Sequence, residues 1–179
     1  MAILTGTASW TDKTLIACGR FYPPEAKSAE ARLRHYASVF PTVEVDSSYY
    51  AMPSATNAAL WVERTPQDFV FDVKAFRLFT GHQTNVDVLH QDIQAALGAT
   101  SKQLYYKDVP QEVREELWRR FKQALWPLKT AGKLGAVLFQ FPPWLLRNKA
   151  GHDHVAHCVE QMDDFAVSVE FRNQTWWAP

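Results

Sequence analysis

Apolar positions in this chain either run together or alternate with polar ones over short stretches, and between those stretches they recur at helical spacing. Ala2 to Ser9, bounded by Gly6 and Trp10, is a short apolar run that suits a buried strand. Thr42 to Tyr50 is rich in β-branched and aromatic residues and predicts a second strand; Phe69 to Ala75 predicts a third. Gly132 and Gly135 introduce a fourth, Ala136 to Phe141, which Pro142 and Pro143 end because proline donates nothing to a ladder. Ala166 to Arg172 is the fifth. Helical spacing appears between Ala26 and Phe40, where Leu33, Tyr36, Ala37 and Phe40 share a face, and after Ser54, a capping residue for a helix through Trp61 that stops before Pro66. Val113, Leu117, Phe121, Leu125 and Leu128 form an apolar stripe opposed by Glu112, Arg114, Glu115, Arg119 and Lys122, and Pro127 should end or kink that helix.

Strands alternating with helices predict an α/β fold with a parallel sheet, either doubly wound or part of a (β/α) barrel. No G-x-G-x-x-G follows the first strand and no Walker loop is present, which favours the TIM-barrel-like reading. Five predicted strands in 179 residues fall short of a full barrel. A single domain over residues 1–179, truncated at its C-terminal end, is therefore expected. About sixty residues separate the third and fourth strands, more than a simple crossover needs, and roughly Phe79 to Pro110 should form an excursion over one rim.

Composition narrows this little. Lys plus Arg and Asp plus Glu are both 19, so the net field gives no reason to expect nucleic acid or an anionic membrane. Cys18 and Cys158 show no C-x-x-C spacing and read as reduced thiols, the N-terminus has no basic signal-peptide region, and no long apolar window is present. A cytoplasmic location without membrane contact is expected.

The motifs Gly6-Thr-Ala-Ser-Trp10, Phe21-Tyr-Pro23, Phe40-Pro-Thr-Val-Glu-Val-Asp-Ser-Ser-Tyr-Tyr50 and Gln140-Phe-Pro-Pro143 carry a family likeness. So do Phe71-Asp-Val-Lys-Ala75, Gly81-His82-Gln83 and Val169-Glu-Phe-Arg-Asn173 with Trp176. In this order they resemble the YecE-like family, domain of unknown function 72, over the whole chain. The resemblance implies a TIM-barrel-like fold whose usual C-terminal third is missing here; it implies no reaction. Ser9-Trp10 departs from the Gly-Trp that the family often has.

In a parallel barrel, side chains alternate between lumen and helix layer, and chemistry sits at the C-terminal ends of strands. With Val43 and Val45 against the helices, Glu44 and Asp46 face inward; the same phase groups Asp72 with Lys74, Leu138 with Gln140, and Ser168 with Glu170 and Arg172. Glu44, Asp46, Lys74 and Glu170 are the candidate catalytic groups, able to supply a general acid or base beside a cation. Trp10, Tyr49, His82, Gln140, Arg172 and Trp176 are the candidate ligand-binding groups. The alternative for the charges is an ion-pair network that satisfies only itself. For the aromatics, which also include Tyr50, Phe76, Phe79, Trp144 and Trp177, the alternatives are stacking platforms or a cover that pins loops to helices. His82 is an acid, a base, a ligand or a solvated loop residue. An oxygen-rich mouth would take Mg²⁺ or Mn²⁺, but no signature spacing assigns a metal ligand. His154 and Cys158 lie one helical turn apart, yet Cys158 shares an apolar face with Val155, Val159 and Met162 and reads as a core thiol.

The leading expectation is a barrel-mouth enzyme or binder acting on a small polar or anionic ligand such as a phosphorylated sugar, held by Lys74 and Arg172. Nucleic-acid binding or endonuclease-like cleavage is one alternative. A non-catalytic half-barrel that self-associates through its open sheet edges is another.

Overall fold

The computed structural model describes residues 3–98 and 102–177. Its centre is a four-stranded parallel sheet: β1 (Thr42–Val45), β2 (Val70–Lys74), β5 (Leu134–Phe141) and β6 (Val167–Phe171), side by side in chain order. The sheet is not closed. A two-stranded antiparallel pair, β3 (Thr84–Asn85) with β4 (Gln103–Leu104), stands apart from it.

Period-two patterning sets the two faces. Val43, Val45, Phe71, Val73, Val137, Phe139 and Phe141 are all buried on one side. There they meet α2 (Ala29–Val39), α4 (Ala55–Glu63), α6 (Gln111–Thr130) and α7 (Lys149–Gln161), whose inward residues include Leu33, Tyr36, Leu117, Trp118, Phe121 and Cys158. Each large side chain buried in this way contributes roughly 1.5–3 kcal/mol. Trp118 and Phe79 stack at 3.7 Å in the middle of this layer. The opposite face carries the polar residues and is only partly covered.

Helix starts follow their capping residues. Ser28 and Ser54 accept from the backbone N–H of Ala31 and Asn57, and Asn148 does the same for Gly151 at the head of α7. The last turn of α4 is closed by a buried lysine: Lys133 Nζ donates to the carbonyls of Val62 and Thr65 at 2.7 and 2.8 Å.

Three expectations change. The first strand is reduced to one bridge, Ala8 beside Glu44, with Ser9 N–H donating to the Glu44 carbonyl. Thr7 N–H is diverted to the Tyr36 hydroxyl, and Ser9 adopts a left-handed backbone (φ 69°) that turns the chain out of the sheet. Met1 and Ala2, part of that expected strand, lie outside the described residues. The second strand stops at Val45, and Ser47–Tyr50 forms a helical turn, α3. Buried Ser48 anchors this turn: its hydroxyl lies 2.6 Å from the carbonyls of both Val45 and Lys74 and shares its one proton between the two strand ends. Pro127 does not end α6, which runs on to Thr130: the lost N–H bond and the crowding of the carbonyl four residues back are local costs that the buried Leu125 and Leu128 on either side offset.

The excursion after β2 is present and more ordered than the sequence pattern showed. It holds the small hairpin and α5 (Gln91–Leu97), which Arg120 of α6 ties down through two hydrogen bonds to Asp92.

Candidate functional site at the C-terminal edge of the sheet

The alternation that buries the valines of β1 places Glu44 on the polar face, and the register sets Glu44 beside Asp72 and Gln140 beside Glu170. Asp72 has a structural task. The β2–β5 register slips by one residue between Phe71 and Val73, and the Asp72 carboxylate accepts the Ala136 N–H at 2.9 Å within that bulge. Gly135 makes room, since a Cβ there would sit 2.4 Å from the same oxygen.

Beyond the strand ends the charges sort into two groups. On the β6 side, Glu170 accepts from Gln140 Nε2 at 2.7 Å and from Arg172 Nε at 2.8 Å. Burial alone would raise the Glu170 carboxyl, but these bonds outweigh it and hold its pKa below the ordinary value. On the β1–β2 side, Lys74 pairs with Asp46 at 2.8 Å, and its ammonium lies 5.0 Å over the Tyr49 ring that α3 presents. Glu44 has no hydrogen bond to its carboxyl among the described residues. Burial raises its pKa; Lys74 opposes this, while Asp46, Glu170 and Asp72 reinforce it.

Arg77 completes this side. Its guanidinium lies 5.2 Å from the Tyr49 ring centre on the face of the π-system, its Nε is buried without a hydrogen-bond partner, and no described carboxylate forms an ion pair with it. Its backbone holds the loop together, donating to the Tyr49 carbonyl and accepting from His82 N–H. His82 packs edge-on to Tyr49 at 5.4 Å and to Trp144 at 5.3 Å. Burial, then the cations Arg77, Arg172 and Lys74, push its pKa down to about 4. The Thr80 hydroxyl lies 3.0 Å from the Arg77 carbonyl and 2.9 Å from His82 Nδ1, and Nε2 has no hydrogen-bond partner among the described residues.

Eight of the ten expected site residues, Glu44, Asp46, Tyr49, Lys74, His82, Gln140, Glu170 and Arg172, thus share the polar face and its rim. Trp10 and Trp176 have packing partners instead. Trp10 is buried edge-on to Trp61 and Phe71 in the helix layer. Trp176 stacks on Phe171 at 4.0 Å and donates to the Leu145 carbonyl, pinning the loop after β5. Phe76 and Phe79 are core residues. Arg77 was missed by the alternation argument because it lies past the strand, although that position, just beyond a strand's C-terminal end, is itself a signal. Among the described residues, no three His, Cys, Asp or Glu side chains gather as a metal cage, and no helix is long and apolar enough to cross a membrane. His154 Nε2 and Cys158 Sγ stand 3.9 Å apart without a third ligand.

A family model described as "Protein of unknown function DUF72" matches residues 4–179. The chain belongs to the DUF72 family. Its similarity to the UPF0759 protein YunF of Bacillus subtilis (strain 168) is 36% identity over 177 residues, 99% of this chain and 53% of YunF. The fold is similar to that of a solved DUF72 protein from Enterococcus faecalis V583, with a TM-score of 0.70 at 23% identity over 99% of this chain and 54% of that one. It is also similar to a DUF72 protein from Thermotoga maritima MSB8, with a TM-score of 0.66 at 23% identity, covering 59% of that chain. The chain therefore spans about half the length of the DUF72 relatives it matches.

Proposed function

We propose that the C-terminal edge of the sheet binds a small polar anion, such as a phosphorylated sugar, and moves a proton on it. The observation that carries this reading is the pairing state of the charges. Lys74 and Arg172 are already neutralised by Asp46 and Glu170, whereas Arg77 has a buried, unpartnered Nε and no carboxylate. A buried polar group without a partner costs about 1–3 kcal/mol, which an anionic ligand would recover. Glu44, unbonded and raised in pKa, is the proton carrier, in preference to the tied-down Glu170. His82 Nε2, without a partner among the described residues, adds a further polar group.

The same reading takes the open sheet as the first part of a (β/α) barrel. Its support is the addition of strands in chain order, with apolar residues facing helices and polar residues facing away. Thermal unfolding with glucose 6-phosphate and with glucose tests the ligand class. The phosphate ester should raise the midpoint by mass action, glucose should not, and Arg77→Met should remove the shift. Equal shifts from both sugars, or none from either, would refute the reading.

A second reading, self-association, is favoured by the free side of β6, which hydrogen-bonds only to β5 among the described residues. It predicts a mass that grows with concentration in light scattering; a constant monomer mass would exclude it.

A further inference from the structure

Trp144, which packs against His82, also lines a cleft of about 360 Å³, within the range of roughly 300–1,000 Å³ usual for small-molecule sites. Gly81, Tyr105, Tyr106, Lys107, Trp144 and His154 line it. Three parts of the chain converge there: the turn after β2, the segment that the hairpin excursion returns after β4, and the loop after β5 with the first turns of α7.

The floor is rigid. Trp118 Nε1 donates to the Tyr106 hydroxyl, which bonds His157 Nε2, both at 2.8 Å. Gly81 has φ 82°, a backbone that side chains rarely adopt, and so leaves the gap beside His154 open. The turn carrying Tyr105 is held by its N–H donating to the Asp108 carboxylate at 3.1 Å.

The walls, by contrast, are offered to solvent. Trp144 is 60% exposed and Tyr105 38%, although both have large apolar rings at the edge of a formed cavity. Burial holds His154 below its ordinary pKa, so it is neutral at pH 7 and Lys107 is the charged member of the lining. Stacking walls with, among the described lining residues, one exposed cation and no carboxylate are complementary to a ring that carries a negative group.

We propose that this cleft binds a planar aromatic acid, its ring stacked on Trp144 and Tyr105 and its carboxylate at Lys107. The site shares no lining residue with the Arg77 group.

Calorimetric titration of the whole chain with indole-3-carboxylate, and with the neutral indole-3-carboxamide, tests this. A probe of about a dozen non-hydrogen atoms should bind with a low-millimolar Kd at ordinary ligand efficiency. Trp144→Ala should weaken it about five- to tenfold. Lys107→Gln should weaken the acid about threefold or more and leave the amide unchanged. Both side chains are exposed, so the variants should keep the wild-type melting midpoint. Arg77→Met should leave indole-3-carboxylate binding intact, so a failure at the strand-end site would not register here. The proposal is overturned if the amide binds as tightly as the acid, if neither Trp144→Ala nor Lys107→Gln weakens the acid, or if no saturation appears.

Discussion

The two sides of the polar face are built from the same residue types and end in opposite states. Toward β6, Gln140, Glu170 and Arg172 satisfy one another, and the carboxylate is held in its ionised form. Toward β1 and β2, one ion pair, Asp46 with Lys74, sits beside a carboxyl without a hydrogen bond and a guanidinium with a buried orphan nitrogen. Mutual satisfaction is what scaffolding asks of buried charge; groups of both signs left over are what a ligand site asks. The contrast teaches that inward charge alone does not mark chemistry. In the function proposed above, what marks it is charge that the fold leaves without an ion-pair or hydrogen-bond partner.

Substitutions can break that contrast, the largest effect first. Asp46→Ala strands the Lys74 ammonium, whose side chain is only 13% exposed, and should cost about 2 kcal/mol in chemical denaturation. Glu170→Ala should cost less, about 1 kcal/mol, because Arg172 is freed into solvent rather than stranded. Equal losses would mean that the two sides are energetically alike.

Glu44→Gln should act in the other direction. The folded chain holds the Glu44 proton more tightly than the unfolded chain, so its contribution is present below the ordinary value of 4.5 and lost as pH rises. The glutamine variant should melt about 1–3 °C higher at pH 7, with the gain fading below pH 4.5. A lower midpoint at pH 7 would show that Glu44 is satisfied after all.

At pH 7 the smallest effect belongs to His82, whose contribution changes only on acidification. With its folded pKa near 4 against an ordinary 6.5, the unfolded chain takes up the extra proton, so stability present above pH 6.5 drains away as pH falls toward about 4. His82→Gln should flatten that part of the stability–pH curve relative to wild type; an unchanged curve would remove His82 from the network.

How much of this the sequence carried depends on the distance over which each determinant acts. Alternation in Val43-Glu-Val-Asp46 and Val70-Phe-Asp-Val-Lys74 assigned both faces correctly, because burial on one side is a local, period-two demand. The same alternation overran at Ser47–Tyr50, where a hydroxyl set between two strand-end carbonyls outweighs the β propensity of the tyrosines. The first strand failed similarly: Thr7 is bound by Tyr36, 29 residues away, a partner that no window of sequence reveals. At the site, the sequence supplied the set of charges but not their pairing. Which cation is left over is decided by side-chain geometry across α3, β2 and β6, and so Lys74 and Arg172 stood out where Arg77 is the unpaired one.

In the proposed function, Arg77 rather than the paired cations receives an anion. Calorimetric titration of inorganic phosphate into wild type, Arg77→Met and Arg172→Ala tests it most directly. A charge-assisted hydrogen bond is worth about 1.5–3 kcal/mol, so Arg77→Met should lose tenfold or more in affinity while Arg172→Ala loses about threefold at most. Losses in the reverse order, or phosphate affinity indifferent to both, would contradict it.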